Sequence, residues 1–174
     1  LVTDSDLLSN RIIQESLQST FPDYLFLTEE SSDATHQTIT EKPTWIVDPL
    51  DGTSNFVAGI PLFGIVIALV IEYQPVLSVM YDPIHDELFV AEAKQGATLN
   101  GRAIHVSSRS ELQGSMLFAG RGKREQDRER QATLIYILER QTNYFRRLGT
   151  AAFMLCCVAS GRADGLILMG NKPW

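Results

Sequence analysis

The sequence predicts an α+β fold with helices and sheets stacked in layers. Two observations carry this. Between residues 62 and 107, runs rich in Val, Ile, Leu and aromatic side chains follow one another across short turn dipeptides, the pattern of a meandering, mostly antiparallel sheet. Apolar residues at helical spacing are confined to separate blocks on either side of that stretch, so regular βαβ units and a doubly wound sheet are not expected. With 174 residues and 44% hydrophobic composition, the chain can bury a sizeable core, and its length fits one domain or the start of a second.

In chain order, Asp4 or Ser5 can cap an amphipathic helix in which Leu8, Ile12, Ile13 and Leu17 recur near helical spacing, with Phe21-Pro22 as its stop. Residues 24–28 make a short apolar strand that delivers Glu29 and Glu30 at its end, and 31–42 is polar and loop-like. Trp45-Ile46-Val47 reads as a buried strand ending at Asp48-Pro49, because proline cannot donate to the ladder. Strands are expected over 62–73, 76–81, 87–93 and 103–107, with Gln74-Pro75, Asp82-Pro83 and Asn100-Gly101 as turns. A charged helix near 124–141 precedes a strand at 144–148. Gly149-Thr150 then opens an apolar helix ending near Gly161, and 164–169 reads as a last strand.

The formal net charge of −6 gives no overall basic field for nucleic acid or an anionic membrane. A phosphate-bearing substrate would need cations to hold it. The most apolar stretch, 60–71, is too short to span a bilayer, and no charged n-region followed by an apolar h-region opens the chain, so cytoplasm is the expected location. Cys156 and Cys157 are adjacent in an apolar run and match no zinc spacing, which points to two buried thiols in a reducing compartment. His36, His85 and His105 lie in loops or beside turns without partner spacing and are expected to be solvated. In the basic run 121–130, Glu125, Asp127 and Glu129 interleave with the cations, as on a solvated helix face.

The chemistry is concentrated in Trp45-Ile46-Val47-Asp48-Pro49-Leu50-Asp51-Gly52-Thr53-Ser54-Asn55-Phe56. Two carboxylates three residues apart sit where a buried strand turns toward a short helix, and Pro49 stiffens the link between them. Paired acids at a strand end are costly unless a cation lies between them, and oxygen-only ligands select a hard ion such as Mg²⁺. Glu29, at the end of another strand, is the obvious third ligand. Gly52 and Thr53 follow, where free amides at a helix start cradle phosphate. Such a site suits hydrolysis of a phosphate monoester, with Thr53 and Glu29 orienting and deprotonating water. An ordinary Asp-Pro-x-Asp-Gly turn is the plainer alternative.

The string 45–56 is similar to the first signature of the inositol monophosphatase family. Leu1-Val2-Thr3 through Asp6 resembles that family's early segment, Phe26-Leu27-Thr28-Glu29-Glu30-Ser31 its first metal-ligand segment, and Gly96-Ala97-Thr98-Leu99-Asn100-Gly101 its hairpin. Arg147-Leu148-Gly149-Thr150-Ala151-Ala152 and Gly170-Asn171-Lys172-Pro173-Trp174 resemble the approach to its second signature. The resemblance implies a layered sandwich of the sugar-phosphatase type, α-β-α-β-α, over a single catalytic domain, 1–174. A first portion to about residue 120 would hold the metal site, a second would start at about 121, and the chain would be incomplete at both ends.

Carried over by residue, the resemblance implies two or three Mg²⁺ ions. Glu29, Asp48 and the Leu50 carbonyl would hold the first, Asp48 and Asp51 the second, and Asp6 would be an outer ligand of a third; Asp6 also fits as a plain first-turn helix acid. Asp51, Gly52 and Thr53 would bind substrate phosphate, Glu29, Thr53 and Asp48 would form the catalytic set, and Gly149, Thr150 and Ala151 would line the alcohol portion, Thr150 being equally suited to capping a helix. The resemblance also implies a lithium-sensitive homodimer acting on a small phosphorylated alcohol, with no nucleic acid or membrane partner. Two departures qualify this. The Asp that follows the Trp of the second signature is absent because the chain stops at Trp174, and Leu168 replaces a Glu that contacts sugar hydroxyls in inositol-specific members. Inositol monophosphate remains the leading substrate; histidinol phosphate, a sugar phosphate, a 3′-phosphonucleotide or a non-catalytic regulatory role are the alternatives.

Overall fold

In the computed structural model, which describes residues 1–30, 39–120, 122, 124–142 and 144–170, the first helix owes its start to Thr3 rather than to Asp4 or Ser5. The Thr3 hydroxyl accepts from the Asp6 amide at 3.4 Å and the Asp6 carboxylate accepts from the Thr3 amide at 2.8 Å, a reciprocal capping box that opens α1 (Asp4–Thr20). Phe21, whose amide donates to the Leu17 carbonyl, closes it ahead of Pro22. The face turned to the protein is the expected one only in part, with Ile13 and Leu17 half-buried. Leu8 and Ile12 are about half exposed (48% and 53%), whereas Asp6 is buried. Polar anchors set this orientation: Ser9 donates to the Pro49 carbonyl at 3.0 Å, and Thr28 donates to Asn10 Oδ1 at 2.7 Å.

The first sheet has seven strands in chain order: β1 (Leu25–Thr28), β2 (Thr44–Asp51), β3 (Gly64–Ile71), β4 (Gln74–Asp82), β5 (Glu87–Glu92), β6 (Gly96–Leu99) and β7 (Arg102–Ala103). Only β1 and β2 pair in parallel; the rest form the expected meander. β2 is nearly all buried, with Trp45, Ile46 and Val47 each contributing roughly 1.5–3 kcal/mol by leaving water. It does not end at Asp48-Pro49. Pairing runs from Asp48 opposite Val66 to Asp51 opposite Gly64, so Pro49 and Leu50 together face the single residue Ile65 in a bulge, where the missing proline N–H breaks no ladder bond.

The turns follow backbone handedness. Glu72 and Tyr73, with φ of 49° and 63°, make the β3–β4 turn, and Gln74-Pro75 lies inside β4 instead of forming the expected turn. Asn100-Gly101 (φ 48° and 76°) is a turn as expected, and the Asn100 side chain bonds the Leu88 amide and the Asp86 carbonyl. Asp82, fully buried, accepts from the Ile84 and His85 amides and caps the turn after β4. His85 is therefore not without a partner: its Nδ1 lies 2.7 Å from Asp82 Oδ2. The strand expected over 103–107 is reduced to the end of β7.

A second sheet of three parallel strands corrects the expectation that regular βαβ units are lacking. It has the order β10 (Gly165–Ile167), β8 (Met116–Ala119), β9 (Tyr144–Arg146), with α3 (Glu125–Glu139) carrying the chain from β8 to β9 and α4 (Ala151–Ala159) from β9 to β10. No strand was expected at β8, which is four residues long and forms the centre of this sheet. α4 packs against β3, β4 and β10, so it lies between the sheets. The layering is the α-β-α-β-α order, and one core cluster joins Met154 and Cys157 of α4 to Phe118 of β8 and to Ala163. Cys157 is buried and Cys156 only partly so, both as free thiols, and burial pushes the Cys156 thiol up to about 12. Among the described residues, no helix is long and apolar enough to cross a membrane. His36, the Arg121 end of the basic run and the segment 171–174, with Trp174, lie outside the described residues.

Candidate active site

The bulge in β2 points the chain of the acidic motif toward the space between the sheets. Immediately after it, Gly52 adopts φ 96° as the cap of α2 (Thr53–Val57). A side chain there would meet the Leu62 carbonyl at 3.0 Å and Phe63 Cα at 3.3 Å, so both backbone conformation and space require glycine. The amides of Asn55 and Phe56 turn back to the Gly52 carbonyl, which leaves those of Thr53 and Ser54 without an intrahelical acceptor.

Glu29, Asp48 and Asp51 line one side of a cavity of about 650 Å³, together with Leu50, Gly52 and Thr53. Burial, then the charges of Asp51 and Glu29 and a side-chain hydrogen bond with Glu29, push Asp48 up to about 8, against the opposing bond from the Leu50 amide at 3.1 Å. Burial also raises Asp51, although Thr150, Ala152 and Ala151 all donate to it. The Ala152 amide lies 2.7 Å from Asp51 Oδ2 and the Ala151 amide 3.3 Å from Oδ1; the Thr150 hydroxyl donates to Oδ2. Asp51 thus sits on the N-terminus of α4, where the helix dipole favours an anion. Glu30, which the sequence reading left without a role, belongs to the same acidic neighbourhood: burial, then Asp6 and Glu29, raise it.

Thr53 links the motif to α1. Its hydroxyl is 3.2 Å from Asp6 Oδ1 and 3.1 Å from the Leu50 carbonyl, and its single proton serves one of them at a time. Asp6 is in addition the capping-box acid of α1 and does not line the cavity. Thr150 is fully buried and caps α4 by accepting from the Phe153 amide, so the cavity wall at this point consists of Gly149 and Ala151. Among the described residues, no three acid, imidazole or thiol groups enclose a common point in the way a closed ion cage requires. Glu29 and Asp48 touch, while Asp51 leans toward α4.

A residue with no signal in the sequence joins the two halves. Asn55, buried in α2, donates through Nδ2 to the Leu62 carbonyl at 2.8 Å and to the Leu148 carbonyl at 2.7 Å. Gly149, with φ 80°, has no room for a side chain, because a Cβ there would lie 2.8 Å from Asn55 Oδ1.

Over residues 1–174 the chain matches the model of the inositol monophosphatase family. It belongs to that family. Its matches include proteins named inositol monophosphatase and proteins named Nus factor SuhB. Inositol monophosphatase 1 of Solanum lycopersicum is 42% identical over 178 residues, with 100% of this chain and 65% of that protein covered. Nus factor SuhB of Xylella fastidiosa is 39% identical over 174 residues, covering 99% and 62%. The crystal structure of the extragenic suppressor protein SuhB from Bartonella henselae superimposes with a TM-score of 0.91 at 36% identity, covering 99% of this chain and 67% of that one. The chain spans less than two thirds of the length of these curated relatives. Family membership accounts for the α+β layering.

Proposed function

We propose that the protein hydrolyses a small phosphate monoester with Mg²⁺ as cofactor, inositol monophosphate being the first substrate to test. The observation that supports this is the crowding of Glu29, Asp48 and Asp51 beside the amides of Thr53 and Ser54. Burial and the neighbouring charges of Asp51 and Glu29 raise Asp48 well above the ordinary carboxylate range, which disfavours its charged form. A dication offsets such crowding, and the adjacent amides suit the phosphoryl group it would accompany. The oxygen-only donor set fits a hard ion. Glu29, Asp48 and the Leu50 carbonyl would hold one Mg²⁺, Asp48 and Asp51 a second, and Asp6 would be an outer ligand of a third. Mg²⁺ bound there would neutralise phosphoryl oxygens and acidify a water molecule.

The chain's own groups do the rest. Thr53, donating to Asp6, turns its lone pairs outward to accept a hydrogen bond from water, and Glu29 takes that water's proton. Gly52 and Thr53 hold the phosphate, and Gly149 and Ala151 bound the alcohol. Asp51 accepts from three donors at the start of α4, and an ion or substrate would compete with those donors for its oxygens. Leu168 offers no hydrogen bond to a sugar hydroxyl, which keeps other phosphorylated alcohols in play. The protein would act as a lithium-sensitive homodimer in the cytoplasm.

Phosphate release from inositol monophosphate and a panel of other phosphorylated alcohols, with and without Mg²⁺, tests the reading. Mg²⁺-dependent release that falls by roughly 10³-fold or more in Asp48→Asn is expected, the usual scale for losing an essential active-site group. A second reading, a non-catalytic binding role, draws on the relatives named Nus factor. Absence of turnover on the whole panel together with normal folding would favour it.

A further inference from the structure

The inward stripe of α1 runs through Asp6, Ser9, Asn10, Ile13 and Leu17, at the spacings of three and four that keep to one side of a helix. It is polar beside the acidic motif and apolar farther along, while Leu7, Leu8 and Ile12 stand about half exposed. A helix that leaves large apolar residues in water and turns a serine and an asparagine inward departs from its own hydrophobic pattern, and such departures gather at functional sites. We propose that Ser9 and Asn10 are positioning residues of the ion site, fixing from one rigid helix the directions of Asp48 and Glu29. The proposal rests on the reading that these acids hold Mg²⁺.

Ser9 acts through a single peptide group. Its hydroxyl donates to the Pro49 carbonyl at 3.0 Å, inside the bulge of β2. The peptide joining Pro49 to Leu50 is trans, so its carbonyl and its N–H point in opposite directions. The carbonyl is held on the α1 side, and the N–H at the other end donates to Asp48 Oδ1 at 3.1 Å. Ser9 thus fixes the plane of the peptide whose N–H aims the Asp48 carboxylate, and by polarising the carbonyl it strengthens that N–H as a donor. Removing the hydroxyl frees the plane to rotate.

Asn10 acts on the segment that carries Glu29. The buried Thr28 hydroxyl donates to Asn10 Oδ1 at 2.7 Å, and with its proton committed there its oxygen accepts from the Glu30 amide at 3.4 Å. Between them, the Glu29 amide donates to the Val47 carbonyl at 3.1 Å. The backbone is held on both sides of Glu29, whose side chain reaches the Asp48 carboxyl. Asp6, at the head of the stripe, receives the Thr53 hydroxyl. Segments far apart in sequence are therefore aligned against one face of one helix. Carboxylates that ligate a metal depend on hydrogen bonds of this kind to aim them.

The experiment uses the full chain and the variants Ser9→Ala, Ser9→Thr and the double variant Ser9→Ala, Asn10→Ala. Calorimetric titration with Mg²⁺, without substrate, gives the Kd and the number of sites per chain. Phosphate release from inositol monophosphate gives KM and the Mg²⁺ concentration for half-maximal rate. Ser9→Ala is expected to weaken Mg²⁺ binding about tenfold, the lower end of what loss of a ligand-aiming hydrogen bond costs, and to raise the half-maximal Mg²⁺ concentration equally while KM stays within about twofold. Ser9→Thr keeps the hydroxyl and is expected to bind like the parent, and the double variant to bind more weakly than Ser9→Ala. A purely structural role gives a different result, because an unfolded fraction lowers the number of sites and leaves the Kd of the rest unchanged. That outcome overturns the proposal, as does a Ser9→Thr that binds as weakly as Ser9→Ala. If the chain binds Mg²⁺ and turns nothing over, the phosphatase reading falls alone, and the ratio of Kd values still decides this one. If it binds no Mg²⁺, both fall.

Discussion

Asn55 spends both hydrogens of one amide on carbonyls from different parts of the chain, Leu62 ahead of β3 and Leu148 behind β9. Changing it to Asp preserves shape and reverses the chemistry, setting two acceptors against two buried carbonyls. Asn55→Asp is therefore expected to destabilise the protein by about 3 kcal/mol, and Asn55→Ala by somewhat less, because an unpaired buried acceptor carries its full desolvation penalty. Urea unfolding of both variants measures this, and equal, small losses would show that the bridge is dispensable. The same residue marks the limit of what the sequence discloses. Asp48 and Asp51 were legible because their meaning lies in local spacing, two acids around a stiff proline at the end of an apolar run. Asn55 belongs to the same string, yet its partner at Leu148 is 93 positions away, and no local pattern announces it. Arg147 was left without a role for the same reason, since only folding brings it to the acidic cavity.

Among the elements, the β3–β4 hairpin is closed by residues ill suited to it. Glu72 and Tyr73 both hold positive φ, the conformation that Asn-Gly adopts with little strain. Replacing the pair by Asn-Gly is expected to add about 1 kcal/mol of stability, the net of relieved strain and added chain freedom. A raised thermal midpoint with unchanged β3–β4 register would bear this out; a lowered one would mean that the two side chains contribute packing. Strands dense in Val, Ile and Leu were legible because nearly every residue of β3 declares the same preference. The end of β2 was misplaced because proline removes a donor only where the ladder needs one, and the bulge removes that need. β8 went unassigned for a different reason. Met116–Ala119 is short, and its partners β9 and β10 follow only after intervening helices, so its identity as a central strand comes from pairing and not from propensity. On α1, hydrophobic spacing gave the buried face only in part: Ile13 and Leu17 are half-buried, while Asp6, Ser9 and Asn10 turn the helix by their hydrogen bonds and leave Leu8 and Ile12 exposed.

Across the whole molecule, the sheets are joined at both ends of α4. At its far end, Arg162 clasps Glu87 of β5 through two hydrogen bonds. That contact holds the Glu87 carboxyl below the usual carboxylate range, the Arg162 bond outweighing the opposite effect of burial. A depressed carboxylate contributes stability that is fully present above its unfolded value of about 4.3 and is lost as pH falls through its lower folded value. Glu87→Gln should therefore be less stable than the parent at neutral pH and show a flatter loss of stability below about pH 4.3; superimposable acid limbs would dismiss the clasp as a surface contact. At its near end, α4 is capped from a hundred residues away by Asp51, the acid assigned to an ion. Hydrogen exchange at Ala151 and Ala152 thereby becomes a reporter of where that carboxylate points. Protection of these two amides should weaken as Mg²⁺ or Ca²⁺ is titrated in and draws the oxygens away, so two backbone protons could register ion occupancy before any substrate is added.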